Sequence, residues 1–516
     1  YGSESEEICF AVANGITAYI DACDAGSIPL PPEFGLLGHR PDRWKAEDVV
    51  RVRTHSLTRN ASSELVRSKV MAAAGNELGA RLDGLRKQLS HGVVPKPADG
   101  FDPAIMTDRV LRDFNLAVSP VTFSRSRLAA TLEEAALWTT VMPSGEIVRA
   151  SFEEGSNNWA ISAEKTSTGR PILALVPHRT HVLPSIRYGV HLSMPGLDVI
   201  GAGEPMVPGI AMGHNGVAAF GLTIFGADQE DIYVYRTRED DPEQYAYQDG
   251  WEKVATITET IPVKGYPDQS VTLEFTRHGP VIYRDAKNNR AFGLRTVWMD
   301  AGMAPYMASL SVVKAKSYEE YAEALNGWGC PSVNHIYADR TNKIAWKPSG
   351  ATPLRENWDG LLPVPGDGRY EWNGYLAPQA GPTEVNPARG FIATANAMNL
   401  PNDWASTSPA IGFEWLDSSR HDTLHRELSR DTLISLEDCV QLQCSTFSPI
   451  AARALNCLKS MGLTGKPPAR RLLRHWDGDP AARSAPAALF AVWFSKHRGP
   501  FVGRRAGAEP YGIPML

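Results

Sequence analysis

The sequence predicts an α+β fold, sheets covered by helices, because the spacing of its apolar residues changes twice along the chain. Apolar residues recur at helical spacing over 4–92, including a helical stretch at 62–89. From about 156 to 300, short apolar runs bounded by Gly and Pro indicate strands, and similar runs return over 333–346. Helical spacing dominates again over 417–500. Helices therefore lie on both sides of a strand-rich centre.

The overall composition is that of an ordinary globular protein. The chain has 516 residues, 43% hydrophobic and 21% charged, which is enough to bury a large core. A net charge of -6 gives no indication of a nucleic-acid partner. No run of about 18 apolar residues occurs, so no membrane-spanning helix is predicted. The six irregularly spaced cysteines predict buried free thiols, with a single disulfide as the alternative.

Residues 144–155 differ from both neighbouring regions, because they mix Ser, Gly and Glu with little periodicity. This composition indicates an exposed linker. We therefore divide the chain into a mostly helical region at 1–143, the linker at 144–155, and a region at 156–516 that holds the strands and the later helices. The linker ends at Gly155, directly before a strand-like run that starts at Ser156.

A serine that becomes a chain terminus has its own base. A serine hydroxyl needs a base to become a nucleophile, and the G-x-S-x-G elbow is absent here. A free α-amine, with a pKa of about 7.7 to 8.0, accepts that proton near neutral pH. Freeing the amine requires the Ser156 hydroxyl to attack the Gly155 carbonyl, and a residue without Cβ leaves room for this attack. A Gly-Ser pair alone is more often a plain turn.

Several segments in the same order resemble the penicillin acylase family, which includes penicillin, cephalosporin and acyl-homoserine lactone acylases. GSNNWA at 155–160 is similar to the start of the family's β-chain, and GHNGV at 213–217 with FGLTI at 220–224 is similar to a later segment. The resemblance covers about residue 10 to 430. It implies the four-layer αββα sandwich of the N-terminal-nucleophile hydrolases. It also implies a self-processing amidohydrolase acting on a small N-acyl amide, such as a penicillin side chain or an acyl-homoserine lactone.

The resemblance assigns a catalytic set around Ser156. His178 would orient the serine and its amine. The N–H of Ile224 and the neutral side-chain amide of Asn334 would stabilise the oxyanion. Arg355 would lie near the amine and lower its pKa. The alternatives are a structural histidine, a turn asparagine and a surface salt bridge.

The resemblance also implies a substrate mouth and a structural calcium ion. Arg59 matches an α-chain position at that mouth, and Asn60 replaces an aromatic residue there. The calcium would tie the α- and β-chains together through oxygen ligands, which suit this hard cation. The ligands carried over are Glu64, Asp228, the Glu230 carbonyl and Asp231. A solvated acidic loop is the alternative.

Further expectations concern partners and location. The cleaved α- and β-chains would stay associated, and the sequence is expected to be an internal part of a longer precursor, truncated at both ends. The resemblance implies a periplasmic or secreted protein without nucleic-acid or membrane partners. Two other functions stay open. One is a catalytically silent binding homologue. The other is a zinc hydrolase using His421 and His425, which are spaced for a helix but lack a metalloprotease glutamate and a third ligand.

Overall fold

The computed structural model describes residues 1–52, 60–118, 155–179, 185–461, 468–480 and 483–515. The N-terminal region is helical where it is described, as predicted. Its helices are α1 (Ser5–Asp24), α2 (Pro32–Leu37), α3 (Ala46–Arg51), α4 (Asn60–Ala74), α5 (Asn76–Arg86) and α6 (Arg112–Val118). The helical stretch predicted over 62–89 is split at Gly75, whose φ of +81° belongs to the left-handed region that favours glycine.

The strands follow from Gly155 onwards, and the predicted strand runs are confirmed. They are β1 (Gly155–Ile161), β2 (Ile172–His178), β3 (Tyr188–Met194), β4 (Leu197–Gly203), β5 (Met212–His214), β6 (Ala218–Ile224), β7 (Glu230–Arg236), β8 (Gln244–Tyr247), β9 (Gly250–Lys253), β10 (Ala255–Ile261), β11 (Gln269–Thr276), β12 (Gly279–Asp285), β13 (Arg290–Thr296), β14 (Val333–Asp339), β15 (Ile344–Ser349), β16 (Pro353–Arg355), β17 (Val364–Pro365), β18 (Trp372–Tyr375), β19 (Glu384–Val385) and β20 (Phe391–Thr394).

The remaining helices lie within and after the strand region. They are α7 (Ser309–Val312), α8 (Tyr318–Ala324), α9 (Trp404–Thr407), α10 (Ser419–Leu428), α11 (Leu436–Gln443), α12 (Pro449–Ser460), α13 (Pro468–Arg474) and α14 (Ala485–Ala506). Among the described residues, no helix combines the length and the apolar character needed to cross a membrane. All six cysteines are described and are free thiols, four of them buried.

Three larger sheets hold most of the described strands, and β8-β9 and β16-β18 form two further pairs. One of the three has the order β2-β1-β20, and a second has the order β19-β15-β14-β6-β5-β4-β3. The third has the order β10-β11-β12-β13-β7-β17. Strand β1 is central in the first sheet and pairs antiparallel with both neighbours. Strand β2 pairs with β1 from Gly155 onwards and β20 pairs with it from Asn158 onwards, so the strand that carries the predicted nucleophile is held on both sides beyond its first three residues.

The first two sheets pack face to face, because side chains from both fill one core. Ala160 of β1 and Ile392 of β20 share that core with Ile336 of β14. On the outer face of the first sheet, Trp159 packs with Leu424 of α10. The outer face of the second sheet packs against α7 and α8 through a separate core. The layers are thus helix, sheet, sheet, helix, which is the αββα sandwich expected from the resemblance.

The N-terminal helical region packs on the third sheet. Ala61, Leu65 and Met71 of α4 are buried in one core with Ile232 of β7 and Phe292 of β13. Burial of this apolar face provides the main driving force that holds the helices on the sheet. The elements on either side of residues 119–154 therefore share a single hydrophobic core.

Candidate active site

Ser156 is the second residue of β1 and is only 6% exposed. It faces Pro177 across the ladder to β2, and Gly155 faces His178. Because Gly155 already belongs to the strand, the Gly155–Ser156 peptide is held in an extended, paired conformation. Of the predicted linker at 144–155, only Gly155 lies within the described residues.

The side chain that contacts Ser156 most closely belongs to Asn396, two residues after β20. Its Nδ2 donates to Ser156 Oγ at 3.2 Å and to the Ile224 carbonyl at 2.9 Å. The Ser156 N–H donates in return to Asn396 Oδ1 at 2.8 Å. The residue has a φ of +64°, a left-handed conformation that asparagine tolerates better than most residues. This backbone conformation turns the amide towards the serine.

Ile224 ends β6 next to this amide. The Phe225 N–H donates to the Ser332 carbonyl on the β14 side at 3.1 Å, and residue 224 faces residue 333 in the register. Hydrogen-bonded and non-hydrogen-bonded pairs alternate along antiparallel strands. Ile224 therefore makes no backbone ladder bond to β14, and its carbonyl accepts from the side-chain amide of Asn396.

Arg420, the second residue of α10, completes the arrangement. Its Nη1 donates to the Ser156 carbonyl at 2.9 Å and to Asn157 Oδ1 at 2.6 Å. Its Nη2 donates to Asn396 Oδ1 at 3.0 Å. The planar guanidinium holds the strand and the amide in one fixed geometry, a role that suits its rigid fork of donors.

Gly155 lies close to His178 as well as to the groups that contact Ser156. A methyl group built on Gly155 would lie 3.3 Å from His178 Nδ1, 3.3 Å from Arg420 Nη2 and 3.4 Å from Asn396 Oδ1. A larger residue at 155 would therefore displace these groups. Burial, together with the positive charge of Arg420, lowers the pKa of His178 below its ordinary value.

Asn334, predicted to stabilise the oxyanion, makes no hydrogen bond to Ser156 among the described residues, and its catalytic role stays a prediction. Asn334 is fully buried, and its Nδ2 donates to Thr223 Oγ1 at 3.0 Å and to the Ile224 carbonyl at 3.2 Å. Its Oδ1 accepts from Trp346 and Asn399. Both N–H groups of this amide are therefore committed between the sheets, and the amide that reaches Ser156 is that of Asn396.

Arg355 makes its hydrogen bonds to acidic side chains, and its predicted role near the nucleophile stays a prediction. Its Nε donates to Asp231 Oδ2 at 2.7 Å and its Nη2 to Asp228 Oδ1 at 3.1 Å. Burial, with Asp231 and Asp228 nearby, raises the pKa of Glu64 well above its ordinary value. Arg355 is thus the positive partner of a buried acidic cluster, and Arg420 is the arginine at Ser156.

The acidic cluster is the predicted calcium site, but its residues do not fit the ion in this arrangement. The Asp231 carboxylate accepts N–H donors from Arg355, Trp358 and Trp372. A guanidinium already supplies positive charge where the cation would be held. Within the described residues, no group of three or more His, Cys, Asp or Glu side chains is placed to hold a metal. Calcium stays a sequence prediction, and no chemical step is derived from it.

The remaining predicted residues lie away from the serine or outside the described chain. Glu230 accepts the Ala61 N–H through its side chain at 3.3 Å. Asn60 accepts the Gln229 N–H at 3.1 Å. Arg59 lies outside the described residues. No hydrogen bond among the described residues joins Asn60 to Ser156, so its substrate role stays a prediction.

The histidine pair considered for zinc lies on α10. The rings of His421 and His425 are 4.1 Å apart, centroid to centroid, and His425 packs edge-on against Phe391. Burial, together with His421, lowers the pKa of His425 to about 4. The part of the chain that the structure describes offers no third ligand beside them. The pair is part of the packing between α10 and the first sheet.

A serine at the start of an inner strand, between face-to-face sheets covered by helices, defines the N-terminal-nucleophile hydrolase fold. The family model for penicillin amidase matches residues 1–508, so the chain belongs to the penicillin amidase family. The thermostable penicillin G acylase from Alcaligenes faecalis superposes with a TM-score of 0.60 at 24% identity. That match covers 67% of this chain and 65% of the other, and it supports the fold.

Three curated relatives illustrate the family. The penicillin acylase 2 proenzyme of Pseudomonas sp. strain SE83 is 28% identical over 98% of this chain and 62% of its own length. Penicillin G acylase of Escherichia coli is 27% identical over 92% of this chain and 60% of its own length. The acyl-homoserine lactone acylase QuiP of Pseudomonas aeruginosa is 25% identical over 93% of this chain and 57% of its own length. The chain thus spans somewhat less than two thirds of the length of these relatives.

The first prediction concerns the charge beside His178. Replacing Arg420 with Gln removes a positive charge that lowers the pKa of His178, so this pKa should rise towards its ordinary value. An NMR pH titration of histidine-labelled protein measures the change. Arg389→Gln is the control, because Arg389 acts on His421 and His425. An unchanged His178 pKa in Arg420→Gln would contradict the arrangement.

The second prediction concerns the buried acidic cluster. Arg355→Leu leaves Asp228 and Asp231 buried without their cation, so it should lower the free energy of unfolding by about 3 to 5 kcal/mol. Arg369→Leu, which removes a half-exposed pair with Asp367, should cost no more than about 1 kcal/mol. Urea denaturation compares the two variants.

The same measurement series includes metal removal. Because Arg355 supplies the positive charge, EDTA should leave the Tm of the wild-type protein unchanged. A Tm that falls in EDTA and is restored by calcium would show that the ion, rather than the guanidinium alone, neutralises the cluster.

Proposed function

We propose that the protein is a self-processing amidohydrolase that uses Ser156 as an N-terminal nucleophile on a small N-acyl amide. The observation that carries this proposal is the convergence of Asn396 and Arg420 on the buried Ser156, with the Ile224 carbonyl bound to the same Asn396 amide. The relatives that are named acylases support the same reaction class.

Processing begins with the attack of Ser156 Oγ on the Gly155 carbonyl carbon. A C–O bond forms, the peptide C–N bond breaks, and the Ser156 nitrogen gains a proton. Water then hydrolyses the resulting ester, which leaves a Gly155 carboxylate and a free Ser156 amine and hydroxyl. The crowding around Gly155 supports this step, because a residue with a side chain would disturb Asn396, His178 and Arg420.

In turnover, the Ser156 amine accepts the hydroxyl proton while Oγ attacks the substrate carbonyl. The Asn396 Nδ2–H that now donates to Oγ, and the Ile224 N–H, would donate to the developing oxyanion. The C–N bond of the tetrahedral intermediate then breaks and the leaving amine takes the proton. Water hydrolyses the acyl-enzyme to release a carboxylic acid and regenerate Ser156.

Arg420 takes the electrostatic role that the sequence assigned to Arg355. A guanidinium next to the amine favours its neutral form, which is the form that acts as a base. Activity should therefore be lost as the pH falls through the pKa of that amine. His178 lies beside the same backbone and would help to orient the amine.

The names of the relatives support N-acyl amides as the substrate class. They do not distinguish among the acyl groups. An apolar acyl group, from a penicillin side chain or an acyl-homoserine lactone, is the proposed specificity. One methylene in an apolar pocket changes binding by only about 1 to 3 kcal/mol. A panel of chromogenic anilides with phenylacetyl and straight-chain acyl groups would therefore rank the candidates. A periplasmic or secreted location and continued association of the two chains belong to the same proposal.

The third prediction tests processing. The full-length wild-type protein should give two chains by intact-mass measurement, the second beginning at Ser156. Ser156→Ala lacks the attacking hydroxyl, so it should give a single uncut chain without amidase activity. Ser156→Cys should process but lose most turnover, since the thiol differs in size and acidity.

The outcomes of this experiment separate the two candidate functions. A single uncut wild-type chain would favour the catalytically silent binding homologue. Wild-type activity from an uncut Ser156→Ala chain would refute the mechanism as a whole.

The fourth prediction decides between the two asparagines. Asn396→Ala removes a proposed oxyanion donor, so kcat should fall about 100- to 1000-fold. Asn334→Ala disrupts buried bonds between the sheets, so it should mainly lower the Tm. Steady-state kinetics on processed, folded protein, normalised to titrated Ser156, gives the comparison. A larger loss of kcat in Asn334→Ala would support the original assignment.

A further inference from the structure

The residues 411–416, called here the bridging segment, connect both proposed oxyanion donors. At one end, the Ile411 carbonyl accepts the Asp228 N–H at 2.8 Å, four residues after Ile224. At the other end, the Leu416 N–H donates to the Asn396 carbonyl at 3.2 Å. The segment thus touches the chain that leaves β6 and the backbone of the asparagine that faces Ser156.

Two glycines bring the bridging segment directly onto the chain after Ile224. A Cβ on Gly412 would lie 2.2 Å from the Gly226 carbonyl oxygen, and a Cβ on Gly226 would lie 2.8 Å from the Glu414 carbonyl oxygen. Backbone therefore packs on backbone, and there is no flexible side chain between them to absorb a shift.

The N-terminal helical region holds the bridging segment from the opposite side. Arg67 of α4 pairs with Glu414 through Nη2 at 2.6 Å, and the two side chains are 1% and 11% exposed. The Phe413 carbonyl accepts the Ser90 N–H at 2.9 Å. The guanidinium itself is fixed, because it also donates to Asp83 and to the Leu361 carbonyl.

We propose that Arg67 and Glu414 are positioning residues for the oxyanion site. Their ion pair fixes the bridging segment, and the segment fixes the backbone of Asn396 and the chain after Ile224. The N-terminal helical region thereby sets the geometry of groups that belong to the strand region. This inference rests on the proposed function, since it concerns the donors that act in turnover.

Such coupling acts on the transition state more than on substrate binding. The oxyanion exists only after attack, so a small displacement of its donors lowers kcat and leaves KM nearly unchanged. Asn396 has a left-handed backbone that the neighbouring chain must hold in place. A displacement on the order of 1 Å, caused by a distant change, costs about 100-fold in rate.

The test uses full-length processed protein with substitutions at Glu414. Glu414→Ala removes the carboxylate, so kcat should fall about 10- to 100-fold while KM changes less than about 2-fold. Glu414→Gln keeps an acceptor for Arg67 but loses the charge, so its kcat should lie between Glu414→Ala and wild type. The affinity for an aldehyde analogue of the best acyl group, which forms a tetrahedral adduct, should fall in parallel with kcat.

Glu274→Ala is the matched control. Glu274 on β11 is another partly buried carboxylate and pairs with Arg284 on β12, so this substitution also removes an ion pair. The Tm of this variant should fall without a change in kcat, which separates positioning from general destabilisation.

The outcomes distinguish this inference from the proposed function. An uncut or inactive wild-type protein overturns the proposed function. A cut, active wild-type protein together with a folded Glu414→Ala variant of unchanged kcat overturns the inference alone. If Glu414→Ala does not fold, Glu414→Gln decides: a severalfold loss of kcat at constant KM supports positioning, and a wild-type kcat overturns it.

Discussion

The amide of Asn396 joins three elements at one point, and the chemistry proposed for Ser156 depends on it. Its nitrogen donates to the serine hydroxyl and to the end of β6, while its oxygen accepts from the serine N–H and from Arg420. Together these four bonds constrain three parts of the fold: β1, β6 and α10. An amide suits this position because it donates and accepts without titrating. Ser156 and Asn396 are both buried, and the low local dielectric strengthens each of these bonds.

Buried charge connects the N-terminal helices to the sheets in two places. Arg67 of α4 pairs with Glu414, and Glu64 of the same helix lies in the buried cluster with Asp228, Asp231 and Arg355. Burying such pairs is costly unless each charge is well satisfied, so they contribute more to a unique docking geometry than to net stability. The apolar core under α4 holds the helices on the third sheet, and the buried charges define where the helices must lie. If the docked helices hold the oxyanion donors in place, as proposed, this fixed docking geometry supports catalysis.

The helix and sheet layers of the fold could be predicted from the sequence, but not every residue of the candidate active site could be. Periodicity predicted β1, β6 and β14 because these inner strands are buried and their apolar runs are distinct. Asn334 was identified by family resemblance; like Asn396 it donates to the Ile224 carbonyl, and its catalytic role stays a prediction. Arg420 was missed because an arginine among polar residues in a helical pattern looks like any surface residue. Asn396 carried no local signal beyond its place after an apolar strand.

Residues that meet at Ser156 are far apart in the chain. Asn396 follows the serine by 240 positions and Arg420 by 264. During synthesis, the hydroxyl emerges from the ribosome long before the groups that surround it. Cleavage at Ser156, as proposed, therefore has to wait until β20 and α10 have docked. Maturation then reports on the folding of nearly the whole described chain, and a nascent chain that stops short of residue 420 lacks the means to activate itself.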